Sequence, residues 1–174
     1  YIQDGMALIE DDMEALYLSA DIIESSGADS FRISGTQSIV LEPGVQLALG
    51  RNQGLELGAG YIQMLGDVRS LGGDVVLDAA DWVDVAGTID VSGNWVNRRL
   101  DQVESSSLVS VLDAGTIDFA AGKSLVIEDE ARLRANAGAR LSADGKLQIG
   151  HAGEVALRLT DDGRPGASNA PDRP

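Results

Sequence analysis

The chain has no cysteine, so neither a disulfide framework nor a thiolate metal site can hold it together. That absence fixes no compartment, but it is compatible with crossing an oxidising space unfolded. Aromatic residues make up only 4 % of a chain that is 44 % apolar, so the core must be built from Val, Ile, Leu and Ala. Basic residues are few: Lys+Arg number 13 against 28 Asp+Glu, a net charge of −15, and Lys123 and Lys146 are the only lysines. Such a surface lacks the basic footprint that nucleic acid requires and is repelled by anionic membranes. It suits a soluble, self-repelling body. No run of about 18 apolar residues exists to cross a bilayer as a helix, and no secretory signal is visible. The chain opens on Tyr1 rather than Met. It is therefore expected to be a piece of something longer, whose export signal would lie elsewhere.

What is present is short alternation. Ile39 and Leu41, Val45-Leu47-Leu49, Leu55-Leu57, Val75-Leu77, Val83-Val85, Ile89-Val91, Ile117-Phe119, Leu125-Ile127, Leu147-Ile149 and Val155-Leu157-Leu159 each place apolar side chains at every second position. That is the period of a β-strand. Between these runs stand turn residues: Pro43-Gly44, Gly58-Ala59-Gly60, Gly72-Gly73, Gly93-Asn94 and Asp144-Gly145. Many short strands at such spacing mean an all-β chain.

Internal repeats narrow the architecture. Gly115 and Gly138, Gly122 and Gly145, and Lys123 and Lys146 each lie 23 residues apart. A second correspondence, with an offset of 42, maps Gly73, Val75, Leu77, Val83 and Val85 onto Gly115, Ile117, Phe119, Leu125 and Ile127. A repeat of roughly 20–25 residues with two or three short strands is the size of one coil of a β-solenoid. Alternate residues would then line a narrow interior, like on like, and outward positions would be free to be polar.

The stretch "TIDVSGNWVN" (88–97) breaks the pattern, because Trp95 follows the turn at Gly93-Asn94 and a polar, aperiodic segment comes next. An excursion over 94–107 is expected, rejoining at Leu108-Val111, with Trp95 folded against the flank as its anchor. The shaft is expected to span 15–160. Residues 1–14 are left as a lead-in or cap; Met6, Ile9, Met13, Leu16, Ala20 and Ile23 have near-helical spacing, but β-structure is favoured from Leu16 onward. Residues 161–174 hold three of the four prolines and read as a linker or tail.

Chemical motifs are weak. "GTIDFAAGKS" (115–124) lacks the first glycine of a phosphate loop. Gly54, Gly58 and Gly60 do not have dinucleotide spacing. His151 is the only histidine, so a histidine-based metal site is excluded, and its Gly-rich setting reads as an exposed turn. The glycine–aspartate calcium repeat of other solenoids is absent, and no cofactor is implied. Carboxylates carry the one catalytic alternative. Asp78, Asp84, Asp90 and Asp118 fall on the outward phase, and stacked coils can bring two acids to the spacing of a glycosidase pair, about 5–9.5 Å. Outward acids are expected on so acidic a surface anyway. The densest cluster is Glu128-Asp129-Glu130 beside Arg132 and Arg134. No catalytic, cofactor or metal residue is assigned.

"GGDVVLDAADWVDVAGTIDVSGNWVN" (72–97) resembles the body of filamentous haemagglutinin-like large exoproteins, and "DAGTIDFAAGKSLVIEDEARLRANAG" continues in the same style. The most specific piece comprises Ile89, Asp90, Val91, Ser92, Gly93, Trp95, Val96 and Asn97. The resemblance implies a right-handed parallel β-helix, secreted or held at the surface of a Gram-negative bacterium, acting in adhesion, biofilm formation or contact-dependent interaction. It also implies export through an outer-membrane two-partner transporter, recognised by a region outside this segment, and a host or bacterial surface receptor or glycan as partner. No nucleic acid partner and no transmembrane segment are expected. The alternative is a carbohydrate-active β-helix enzyme, a polysaccharide lyase or hydrolase.

Overall fold

The computed structural model of the protein describes residues 2–3, 18–97 and 112–160. Their elements are β1 (Ile2–Gln3), β2 (Leu18–Ser19), α1 (Ala20–Ser25), β3 (Ser30–Ser34), β4 (Ser38–Leu41), β5 (Gln46–Arg51), β6 (Gly54–Met64), β7 (Asp67–Leu71), β8 (Val75–Val85), β9 (Thr88–Asp90), β10 (Trp95–Asn97), β11 (Ile117–Ala121), β12 (Ser124–Ile127), β13 (Arg132–Arg134), β14 (Ala139–Leu141), β15 (Leu147–Ile149) and β16 (Val155–Leu159). The described chain is all-β apart from the single six-residue helix.

The strands form sheets of nine, four and three, and every pairing but β14–β15 is parallel. Within the nine-stranded sheet and along most of the four-stranded one, the inward positions keep apolar residue opposite apolar residue. Leu55, Val75, Ile117 and Val155 make one file; Leu57, Leu77, Phe119 and Leu157 the next; Ala59, Ala79, Ala121 and Leu159 a third. Ile39, Ile62, Val83 and Leu125 form a fourth. In the four-stranded sheet Leu47, Val68, Ile89 and Leu133 line up. The inner members of these files are fully enclosed, from Leu57 to Phe119. Each such aliphatic side chain contributes about 1.5–3 kcal/mol by leaving water.

The spacing between partners starts near the expected repeat and then lengthens. Val68 lies opposite Ile89, 21 residues on, and Leu55 opposite Val75, 20 on. Val75 then pairs with Ile117, 42 on, and Ile117 with Val155, 38 on. The 42-residue correspondence read from the sequence is therefore a true set of neighbours, but the 23-residue one is not. Lys123 stands between β11 and β12, whereas Lys146 lies in the turn of the antiparallel β14–β15 hairpin. The two Gly-Lys pairs share a turn chemistry, and turn chemistry alone does not make strands neighbours.

Other expectations are corrected. Gly58-Ala59-Gly60 is no break: it lies inside β6, where Gly58 sits opposite Ser34 and Asp78. Strand does not persist from Leu16 through the following residues, because Ala20–Ser25 is helical, with Ala20 and Ile23 buried at i, i+3 spacing. So short a helix is unstable alone; packing holds it, and the Ala48 N–H donates to Glu24 Oε1 at 2.6 Å. Trp95–Asn97 leaves the sheet of β9, but as a strand and not a loop: it joins a separate three-stranded sheet, paired in parallel with Ala139–Leu141. Alternation along β10 turns Val96 inward, 6 % exposed, and leaves Trp95 60 % exposed, so Val96 is the anchor expected of Trp95. The rest of the expected excursion, 98–107, and its rejoining residues Leu108-Val111 lie outside the described residues, as do 4–14 and the tail 161–174.

Where turns stack, side chains give way. A Cβ on Gly115 would sit 2.0 Å from the Gly73 carbonyl oxygen, and one on Gly153 would sit 1.7 Å from that of Gly115. Only glycine lets these backbones approach. Aspartates do complementary work at row ends. Asp67 Oδ1 accepts from the Thr88 N–H at 2.8 Å, and Asp74 Oδ1 from Thr116 N–H at 2.7 Å. Asp113 Oδ1 accepts in the same way from His151 N–H at 2.8 Å. Part of the chain's acidity thus serves backbone satisfaction.

Candidate functional site

The four outward aspartates are not gathered. Asp90 belongs to the four-stranded sheet, and Asp78, Asp84 and Asp118 to the nine-stranded one. Arg158 donates to Asp118 Oδ2 at 2.6 Å, and Arg134 lies 4.0 Å from Asp90. Asp78 is exposed, opposite Gly58 and Ala120, and diagonal to Asp118 across one strand. These contacts belong to a wider habit of pairing across neighbouring strands, as in Arg32 with Glu56 at 2.6 Å. Partly exposed pairs of this kind contribute about 0–1 kcal/mol each.

Glu128-Asp129-Glu130 is an exposed turn, and Arg132 and Arg134 point outward on β13. The cluster is a chain neighbourhood more than a site. His151 is exposed as expected, and its Nδ1 lies 3.0 Å from Asp113 Oδ1. Hydrogen bonds from the His151 backbone, then from its ring, hold the Asp113 carboxyl below the usual 3.8. The Gly-Lys segment is a strand–turn–strand. Gly122 passes against Ala80, where a Cβ would meet the Ala80 oxygen at 2.0 Å. Among the described residues no group of three or more His, Asp or Glu is placed to hold a metal ion, and no helix is long and apolar enough to cross a membrane.

The feature with most chemistry lies on the outer face of β6 and β8. Their register slips between Ala59 and Tyr61: Ala59 pairs with Ala79 but Tyr61 with Trp82, so β8 carries one extra residue at Ala80-Asp81. Such a bulge re-aims side chains locally. It brings Tyr61 and Trp82 side by side, ring centroids 6.1 Å apart and planes at 69°. Trp82 remains 37 % exposed. Gln63 and Asp84 occupy the next outward positions, opposite each other, and Ser124 flanks Trp82 on β12. At the bulge, Lys123 Nζ reaches Asp81 Oδ1 at 2.5 Å, while the Lys123 N–H donates to the Asp81 carbonyl at 2.8 Å. The Asp81 hydrogen bond, above all, raises the lysine above its usual 10.5. One carboxylate oxygen of Asp84 is enclosed without a hydrogen-bond partner.

Alternation alone did not single out Tyr61 or Trp82, since each takes an ordinary outward place. The available signal was scarcity: the chain has two tryptophans, and both fall on outward positions of strands. Compared with family models, with curated proteins and with solved structures, the chain has no match in any of the three.

Proposed function

We propose that this chain is a shaft segment of a right-handed parallel β-helix, with windings of roughly 20–25 residues, in a secreted or surface-exposed bacterial exoprotein of the filamentous haemagglutinin-like kind. The observation that carries the proposal is the parallel, in-register stacking of aliphatic files across four strands, Leu57 to Leu77 to Phe119 to Leu157. A chain that winds on itself puts the same side chains in the same place at each turn, and partners 20 and 21 residues apart fit one winding. The longer intervals of 42 and 38 fit windings that each carry an added arm, since β10 and the β14–β15 hairpin fall within them and stack on one another. In this role the segment supplies length and an acidic surface for adhesion or contact, and a two-partner transporter exports it.

The test is localisation. Expressed within its full-length gene with and without the neighbouring transporter, the segment should reach the cell surface or medium only when the transporter is present. Retention in the cytoplasm in both cases would refute the assignment. A carbohydrate-active enzyme draws on one observation, the diagonal Asp78–Asp118 placement beside Arg158. That alternative requires polysaccharide cleavage that Asp118→Asn abolishes. The shaft assignment expects no cleavage by the wild type.

A further inference from the structure

The Tyr61–Trp82 pair sits where a shaft has no structural need for it. Aromatics are 4 % of the chain, and the fully enclosed positions are aliphatic except for Phe119, with Phe31 packed half-buried against the core. Two rings at a steep angle do not cover each other's faces. They leave one face as a floor and the second ring as a wall. Around that corner stand hydrogen-bonding groups on one sheet face: the exposed amide of Gln63, the half-buried Asp84 carboxylate, the Ser124 side chain and the Lys123–Asp81 pair. A ring face bordered by a few polar groups offers a ligand both stacking and hydrogen bonds.

We propose that Tyr61 and Trp82 form a stacking platform for a neutral sugar ring of a surface glycan, with Gln63, Asp84 and Lys123 bonding its hydroxyls. The C–H face of a pyranose carries slight positive charge and settles on the negative face of an indole. Its equatorial hydroxyls then reach outward to the flanking amide, carboxylate and ammonium. The net charge of −15 disfavours sulfated or uronate sugars. A quaternary ammonium, the other common guest of aromatic corners, meets the Lys123 ammonium anchored 2.5 Å from Asp81 at the same corner. The site deepens the adhesive role proposed above and takes its setting from it, but the sugar chemistry does not depend on the export route.

The experiment uses the protein with Trp95→Phe as background, so that Trp82 is the reporting tryptophan. It is applied to an array of neutral, uronate and sulfated hexose oligosaccharides, and tetramethylammonium is titrated in solution. At least one neutral oligosaccharide should bind and shift the Trp82 emission. Binding should weaken tenfold or more in Trp82→Ala, less in Trp82→Phe, and severalfold in Gln63→Ala and Asp84→Asn, while Asp78→Asn leaves it unchanged. If Trp82→Ala fails to fold, Trp82→Phe and Gln63→Ala still decide. Binding of no neutral sugar, binding only of tetramethylammonium or of anionic sugars, or neutral-sugar binding indifferent to all these substitutions would overturn the proposal. A secreted chain that binds no sugar refutes the platform alone; a cytoplasmic chain that binds one refutes the export assignment alone.

Discussion

At the residue scale, two glycines of the same type have opposite meanings. Gly115→Ala places a methyl 2.0 Å from the Gly73 oxygen, whereas the Cβ of Gly58→Ala would find its nearest neighbour at 3.7 Å. Urea unfolding should show a loss of roughly 2–4 kcal/mol for the first and a change within about 1 kcal/mol for the second. Titration follows the same local logic. Asp113 is held below its ordinary 3.8, so its contribution is present above that value and is lost as pH falls through the lower folded value. Lys123 is held above 10.5, so its contribution is present below that value and disappears as pH rises through the higher folded one. NMR titration should find Asp113 still ionised somewhat below 3.8 in the wild type, and back at the ordinary carboxylate value in a peptide spanning 110–116. An Asp113 that titrates at the same pH in both would contradict the contact with His151.

At the element scale, the file in which a side chain stands decides its worth. Phe119 is fully enclosed between Leu77 and Leu157, and Leu157, on the outer strand β16, is 47 % exposed. Phe119→Ala should cost about 3–5 kcal/mol by thermal or urea denaturation, and Leu157→Ala about 1 kcal/mol or less. The β10 strand gives a sharper contrast. Trp95→Ala should change stability by no more than about 0.5 kcal/mol, while Val96→Asp should cost several times that, because it buries an unpaired charge. An inverted order would contradict the orientation of this strand. Strand identity was legible in the sequence for the same reason these predictions can be made: Val75, Leu77, Val83 and Val85 alternate, and all are buried. Which strands would be neighbours was legible only in part. The 42-residue match repeated five positions in order and marked true partners; the 23-residue match repeated only Gly and Lys, residues that any tight turn favours. The helix at Ala20–Ser25 was hidden because a six-residue element has too few turns for its period to stand out from alternation. The Tyr61–Trp82 corner was hidden because one extra residue in β8 creates it, and its trace in the sequence is slight: the inward positions of β6 pass from Ala59 to Ile62, a single break of phase.

At the scale of the whole molecule, the proposal is that successive windings lie on one another in register. Glu56, Val76, Asp118 and Ala156 stand opposite one another on β6, β8, β11 and β16, although they span 100 residues of sequence. The absence of cysteine makes them convenient labelling positions. Spin labels placed at residue 56 and, in turn, at 76, 118 and 156 test the stack most directly by electron paramagnetic resonance. Rungs near 4.8 Å predict backbone separations rising evenly to about 5, 10 and 14 Å. Separations that fail to rise in that order, or a 56–156 distance beyond about twice the expected three rungs, would contradict the stacked winding and, with it, the assignment to a surface shaft.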